Sequence, residues 1–387
     1  MASPRNPADT SPEPEFRLTF GVEIEFILAT VDEGKENPNP RDPREVNEKI
    51  LSDNDSINYD ICRKLKEAGI PATVQEIDHK DSTDSLDITA TNWLLKTDVT
   101  VGLSDPDDKD KRYIEFSLEM SSPPYYYDEA SQKAVETVLK VIRKNYLVRV
   151  DKTTGLHVHV GNSYHGLQWR VLRNLMAIAW TYERQLLLIL PEERVANRYC
   201  QPLRESTLGL RHPELTRLEF LNRILSFINN RQVISELIGT EVKTRLGFNI
   251  RNLKTPFSDH APERTIEFRQ HPGSFEPKDI LHWIHICVKM VEKACFIKGE
   301  ELFNRLRTDV EKPIGFGEDD VSTIDYLVWL GCPAQAYYYG EGMIANKAQI
   351  EKRIKEEAKR DAMDLEMYRE EGHVDVQGRL SVGMSGK

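Results

Sequence analysis

An α+β fold, built on an antiparallel sheet with helices packed against it, is predicted by two features of the sequence. Five segments alternate apolar and polar residues with a period of two, the pattern of half-buried strands in an antiparallel sheet. Between and after them run longer segments whose apolar residues recur at helical spacing.

Residues 1–15, with Pro4, Pro7, Pro12 and Pro14 among Ser, Asp and Glu, predict a disordered lead-in. The first strand follows: from Phe16 to Leu28 every even position is apolar, while Arg17, Thr19, Gly21, Glu23 and Glu25 share the other face. Glutamate is a poor strand former, so a pair on one face needs a reason, solvent exposure being the simplest. Val31 to Arg44 is a Pro- and Asn-rich loop, and Ile57 to Ala68 a packing helix stopped by Gly69 and Pro71. Thr73–Ile77 and Asn92–Thr100 are short strand candidates, the second holding Asp98, and a charged loop covers Leu103–Arg112.

The opening pattern then returns in Tyr113–Met120, where Glu115 and Glu119 share a face, and in Gly155–Gly161, where His157 and His159 do. A helix over Ala130–Tyr146 separates these two strands, and a longer buried helix covers Leu167–Leu190. Residues 194–204 carry Arg194, Arg198 and Arg204, a local excess of positive charge, and Leu215–Ile238 is another helical stretch. Arg245–Asn252 puts Asn249 and Arg251 on its polar face, and Arg264–Gly273 does the same with Glu267 and Arg269. A helix from Pro277 to about Phe296 closes this region, which predicts one catalytic domain over 16–340. A charged helix is expected over 341–372, ending at Gly372, and a flexible tail over 373–387.

Composition narrows the function. A formal net charge of −11 over 387 residues argues against nucleic-acid or anionic-membrane binding while leaving room for a local phosphate site. No apolar run approaches the ~18 residues of a membrane helix, and no secretory signal is visible. The five scattered cysteines predict a reduced, cytoplasmic protein. Neither a P-loop nor a dinucleotide glycine motif occurs, and there is no internal repeat.

The five polar strand faces together collect Glu23, Glu25, Glu115, Glu119, His157, His159, Asn249, Arg251, Glu267 and Arg269. Two carboxylates at ~4 Å repel by about 4 kcal/mol at an effective dielectric of 20, so converging carboxylates call for a cation among them. Oxygen ligands with an added imidazole suit Mg2+ or Mn2+ better than zinc. Magnesium shares its shell with phosphates, for which Arg264, Arg269 and the arginines of 194–204 supply complementary charge. The pattern points to metal-nucleotide phosphoryl transfer.

Gly-Val-Glu-Ile-Glu-Phe at 21–26, Glu-Met-Ser-Ser-Pro at 119–123, Thr-Gly-Leu-His-Val-His-Val-Gly at 154–161, Arg-x-x-Asn-x-Tyr-Cys-x-Pro-Leu at 194–203 and Arg-Thr-Ile-Glu-Phe-Arg-Gln-His-Pro-Gly at 264–273 resemble the amidoligase family. That family belongs with glutamine synthetase and glutamate-cysteine ligase among the carboxylate-amine ligases. The resemblance covers about Phe16 to Phe296. It implies a sheet curved into a glutamine-synthetase-like catalytic funnel with helices on its outer face, holding ATP and Mg2+ or Mn2+. By motif position, Glu23 and Glu25 ligate different metals, Glu119 joins one site, and His157 and Glu267 join the other. Glu115 is added because it shares the Glu119 face. Arg264 and Arg269 contact ATP phosphates and, with Glu267, form the catalytic set. His159, Asn249, Arg194 and Arg198 are further contacts to nucleotide or substrate. Ser274 stands where the family pattern has threonine, and Thr100 follows Asp98 where serine is usual; both keep a hydroxyl. The implied activity joins a small, amino-acid-type carboxylate to an amine through an acyl phosphate. The alternatives are a metal-dependent hydrolase using His157, His159 and a glutamate, and a non-catalytic nucleotide-binding relative.

Overall fold

The computed structural model describes residues 17–39, 41, 54–75, 90–103, 113–163, 165–195, 197–239, 245–253 and 264–382. The predicted lead-in, the end of the 31–44 loop, nearly all of the 103–112 loop and the last residues of the tail lie outside the described residues. The chain forms two compact units, residues 1–167 with 249–288, and residues 168–248 with 289–387.

The sheet is mostly antiparallel, as the alternation predicts. Its strands are β1 (Thr19–Thr30), β2 (Ala72–Val74), β3 (Trp93–Thr97), β4 (Ile114–Ser121), β5 (Tyr125–Tyr126), β6 (Leu147–Arg149), β7 (Gly155–Gly161), β8 (Phe248–Asn249) and β9 (Ile266–Pro272). They run in the order β2-β3-β4-β1-β7-β9-β8, with β5 and β6 also on β1, and β2 pairs with β3 in parallel.

Strand β1 organises the first unit. One edge pairs with β4 along Glu23–Thr30, and the other takes β7 along Thr19–Ile24 and then β6 along Ile27–Ala29. The change of partner leaves Glu25 opposite the start of β7, where its Oε2 accepts the Gly155 N–H at 2.6 Å. The even side chains Phe20, Val22, Ile24 and Phe26 are almost completely buried. At ~2 kcal/mol for each large apolar side chain fully buried, that row fixes which way the odd row faces.

Helix Glu129–Asn145 starts at Asp128, whose side chain accepts the Ser131 N–H at 2.8 Å. Such a cap is worth about 1 kcal/mol. Val135, Val138, Leu139 and Ile142 form its buried stripe.

The second unit is helical. Helix Trp169–Leu187 buries most of its circumference: Trp180 stacks on Phe220 at 3.8 Å, and Tyr182 stacks on Tyr326 while donating to Asp309 Oδ2 at 2.6 Å.

Some predicted elements differ. The stretch Leu215–Ile238 is two helices, Arg217–Leu225 and Asn230–Leu237, each begun by its own cap, Thr216 and Asn229. Short polar side chains that bond backbone N–H groups favour caps over helix interiors. The strand expected over 245–252 shrinks to Phe248–Asn249, because Asn249 Oδ1 accepts the Arg251 N–H and the chain turns into a 3-10 helix, Arg251–Leu253. The charged C-terminal helix spans Lys347–Val382 and continues through Gly372. None of the five cysteines is in a disulfide. Among the described residues no helix is long and apolar enough to cross a membrane.

Candidate active site

The odd face of β1 is not solvated. Glu25 is 6% exposed, and its neighbours Glu119, His157 and Glu267 are 4%, 2% and 4% exposed, which excludes the solvent explanation for the carboxylates. Strand register brings them together: Glu25 lies opposite Glu119, Glu23 opposite His157, and His159 opposite Glu267. The regular pairing of β7 with β9 puts Glu267 opposite His159, with Arg269 two residues on along the same face, and a register shift follows between Leu156 and Val158.

Two groups result, each with ligand atoms within 4.8 Å of one another: Glu23, His159 and Glu267, and Glu25, Asp98 and Glu119. His157 joins them. Its Nδ1 is 3.0 Å from Glu23 Oε2 and 3.5 Å from Glu267 Oε1, and its Nε2 is 3.5 Å from Glu25 Oε1. Supporting bonds hold the donors. Asn249 Nδ2 donates to Glu267 Oε2 at 2.6 Å, Ser121 to Glu119 at 3.0 Å, and the Thr100 N–H and hydroxyl both to Asp98 Oδ1 at 2.7 Å. The Thr265 hydroxyl is 3.1 Å from His159 Nδ1.

Close approach explains two glycines of these motifs. A Cβ on Gly273 would stand 2.3 Å from Thr154 Oγ1, and one on Gly161 would meet Thr265 Cγ2 at 3.0 Å.

The charges are unbalanced across the face. Burial opposes ionisation of Glu23, but His159 and His157 outweigh it and hold the carboxyl well below the usual range. Burial likewise opposes ionisation of Glu267, and Arg269, which bonds its carboxylate, turns the balance downward. Glu119 goes the other way: burial, then the neighbouring Glu23 carboxylate, push it up to about 8, despite Lys96 at 2.9 Å. Three carboxylates, Glu25 and Glu119 buried and Asp98 partly so, beside one lysine are short of positive charge. Divalent Mg2+ or Mn2+ fits that deficit, since both groups are oxygen-rich and one includes an imidazole. The donors therefore suit the metals the sequence predicts.

Glu115 does not join the groups. It lies opposite Ala29, roughly 13 Å along β4 from Glu119 at ~3.3 Å per residue, and pairs with Arg149 at 2.9 Å. Sharing a face is not sharing a site when three residues intervene. Both histidines reach Glu23 and Glu267, His157 at 3.0 and 3.5 Å and His159 at 3.3 and 3.9 Å, and His157 also lies 3.5 Å from Glu25. Asp98 was absent from the predicted ligands. Its signal was the period of two, which puts it with Lys96 on the face carrying Glu119. Arg264 precedes β9 with its stem packed near Gly166. Arg194 and Arg198 belong to the helical unit, Arg194 buried in the short helix Glu192–Val195 and Arg198 exposed, donating to Tyr199 Oη at 2.6 Å.

A largely buried set of carboxylates and imidazoles with an arginine, displayed on an antiparallel sheet, is the candidate active site. The family model described as "Putative amidoligase enzyme" matches residues 17–291, and the chain belongs to that family, a group of amide-forming ligases. No curated protein sequence matches it. Among solved structures it is similar to a bifunctional glutathione synthetase from Pasteurella multocida, at 11% identity and a TM-score of 0.34, over 92% of this chain and 49% of that one. It is also similar to Plasmodium falciparum glutamine synthetase, at 13% identity and a TM-score of 0.37, over 92% and 75% of the two chains. The chain thus spans about half the length of the first of these proteins.

Proposed function

We propose that the protein is an ATP-dependent carboxylate-amine ligase that makes an amide through an acyl phosphate. The observation that carries this reading is the pair of buried acidic groups bridged by His157, with Arg269 alongside.

The donors that would hold the metals are Glu23, His159 and Glu267 in one group and Glu25, Asp98 and Glu119 in the other. Mg2+ or Mn2+ bound there would neutralise phosphate oxygens and align the reacting carboxylate with ATP. A substrate carboxylate oxygen attacks the γ-phosphorus, the bond to the β,γ-bridging oxygen breaks, and ADP leaves. The amine nitrogen then attacks the acyl carbon, phosphate departs with the carbon–oxygen bond electrons, and the nitrogen loses a proton. A carboxylate is inert to amines without this activation.

Arg269 is held on Glu267, so its guanidinium stands at the edge of the acidic groups, placed to stabilise the phosphoryl group in flight. Arg264 supplies a second phosphate contact, and Asn249 holds Glu267 in orientation. Burial of the face limits water, which would otherwise hydrolyse the acyl phosphate. The acid and amine are small molecules.

The test is nucleotide turnover by purified protein with Mg2+ across a panel of acids and amines. ADP should appear only when the right acid is present, and hydroxylamine should trap the acyl group as a hydroxamate. AMP release would indicate adenylation. Hydrolysis without nucleotide would favour a hydrolase, and nucleotide binding without any turnover a non-catalytic relative.

A further inference from the structure

The helical unit contains a second concentration of positive charge. A cavity of about 600 Å³ is lined by the first two turns of helix Trp169–Leu187, by residues from Gly299 to Arg307 of helix Gly299–Glu311, and by Ala294 and Cys295 from the end of helix Pro277–Phe296. That volume is within the ~300–1,000 Å³ usual for small-molecule sites.

Arg170, Arg173 and Arg307 all border the cavity, Arg173 half-buried and the other two exposed. Arg173 Nη2 donates to Asn174 Oδ1 at 3.1 Å, and its guanidinium lies 5.2 Å from the Trp169 ring centre and 5.0 Å from that of Phe303. Its Nε is buried and has no hydrogen-bond partner among the described residues. Arg170 also lies by the Trp169 ring, at 5.3 Å, and Arg307 Nε donates to Asn222 Oδ1 at 2.9 Å. Among the described residues none of the three arginines is ion-paired to a carboxylate. Burial and then the neighbouring Arg170 charge lower the pKa of Arg173, so these cations are held together at a cost.

The backbone adds to the charge. Gln168 and Lys298, the N-caps of the two helices that open into the cavity, make no side-chain bond to the first turn. Each helix start carries about half a positive charge on its free N–H groups. Against these stand Glu300, which lines the cavity, and the C-terminal turn of Pro277–Phe296, where Asn174 Nδ2 already takes the Ala294 carbonyl at 3.3 Å. The balance is roughly +2 to +3 by the same half-charge reckoning. In a chain of net charge −11 a cavity of that sign is out of keeping with the whole.

We propose that this cavity binds a small molecule carrying two or more phosphate groups. Guanidinium forks meet phosphate oxygens in pairs, and helix starts favour tetrahedral oxyanions. The volume exceeds what one inorganic phosphate fills. The cavity uses none of the sheet carboxylates, and all its lining residues belong to the helical unit.

The full-length chain, freed of divalent metal with chelator, is titrated with pyrophosphate in a calorimeter. One site should appear, weakened about tenfold or more in Arg173→Met and in Arg307→Gln. It should be unchanged in Glu25→Gln at the sheet and in Arg211→Gln, whose side chain pairs with Glu236 instead. Arg307 is exposed, so its variant remains informative if Arg173→Met fails to fold. Parallel titrations with ATP and with a sugar bisphosphate identify the source of the phosphates: tighter binding of ATP than pyrophosphate indicates a nucleotide, and tighter binding of the bisphosphate indicates a phosphorylated metabolite. No binding up to about 10 mM pyrophosphate, equal binding by both arginine variants, or an equal loss in Arg211→Gln would overturn the proposal.

Discussion

Metal affinity should climb with pH in a way that depends on one carboxyl group. Glu119 is pushed up to about 8, first by burial and then by Glu23, whereas Glu23 and Glu267 are held ionised by their histidine and arginine neighbours. At pH 7 a group with that pKa is about nine-tenths protonated, and its proton must leave before the oxygen can ligate. Binding of Mn2+ at pH 7 should therefore release about 0.9 proton from Glu119, and affinity should rise about tenfold per pH unit below 8 and level off above it. The expense at pH 7 is about 1.4 kcal/mol. Calorimetry in two buffers of different ionisation enthalpy measures the protons released. Glu119→Gln is the control: the difference between the two proteins isolates the proton of Glu119. If the two release the same number at pH 7, or if affinity is level across this range in the wild type, the charge deficit inferred for the second acidic group is wrong.

Further outcomes follow from particular contacts. Glu25→Gln keeps an acceptor for the Gly155 N–H, so circular dichroism and melting temperature should change little while metal-dependent ATP binding weakens by about 10–100-fold. Glu115→Gln should leave metal affinity within about twofold of wild type, since Glu115 serves Arg149 rather than the acidic groups. Arg269→Lys should lower kcat by about 10²–10³ with the fold retained, as measured by ADP release and near-UV dichroism. Glu183 in the helical unit is buried, its carboxylate accepts the Leu203 N–H, and its pKa is pushed up to about 8 from 4.5. The folded chain thus keeps a proton that the unfolded chain releases, and stability falls as pH rises from 4.5 to 8 by up to about 1.4 kcal/mol per unit. Glu183→Gln preserves the acceptor and should flatten that part of the slope in urea melts.

Much of the sheet was legible in sequence because period-two alternation reports which face is buried, and β1, β4, β7 and β9 have it over seven residues or more. Helix Pro277–Phe296 was equally legible, since proline marks its first turn. Alternation assigns a face but not a position along it. That is why Glu115 and Glu119 looked equivalent until the pairing with β1 set one opposite Ala29 and the other opposite Glu25. Asp98 went unselected because a short strand gives a weak pattern and Asp98 lies just past its last residue, Thr97. That both histidines meet Glu23 and Glu267 depends on the pairing of β7 with β1 and β9, which sets Glu23 opposite His157 and Glu267 opposite His159 and which no local pattern encodes. The break inside 215–238 was visible only in the capping preferences of Asn229 and Thr216, which a hydrophobic period masks.

The central claim is that a substrate carboxylate is activated as its acyl phosphate. It is tested most directly by following oxygen from a heavy-oxygen-labelled acid once the panel has identified one. Attack on the γ-phosphorus and later expulsion of phosphate transfer one labelled oxygen into inorganic phosphate for each amide formed, and mass spectrometry of that phosphate should find it. Label in AMP would show adenylation, and unlabelled phosphate accompanying amide formation would contradict the acyl phosphate.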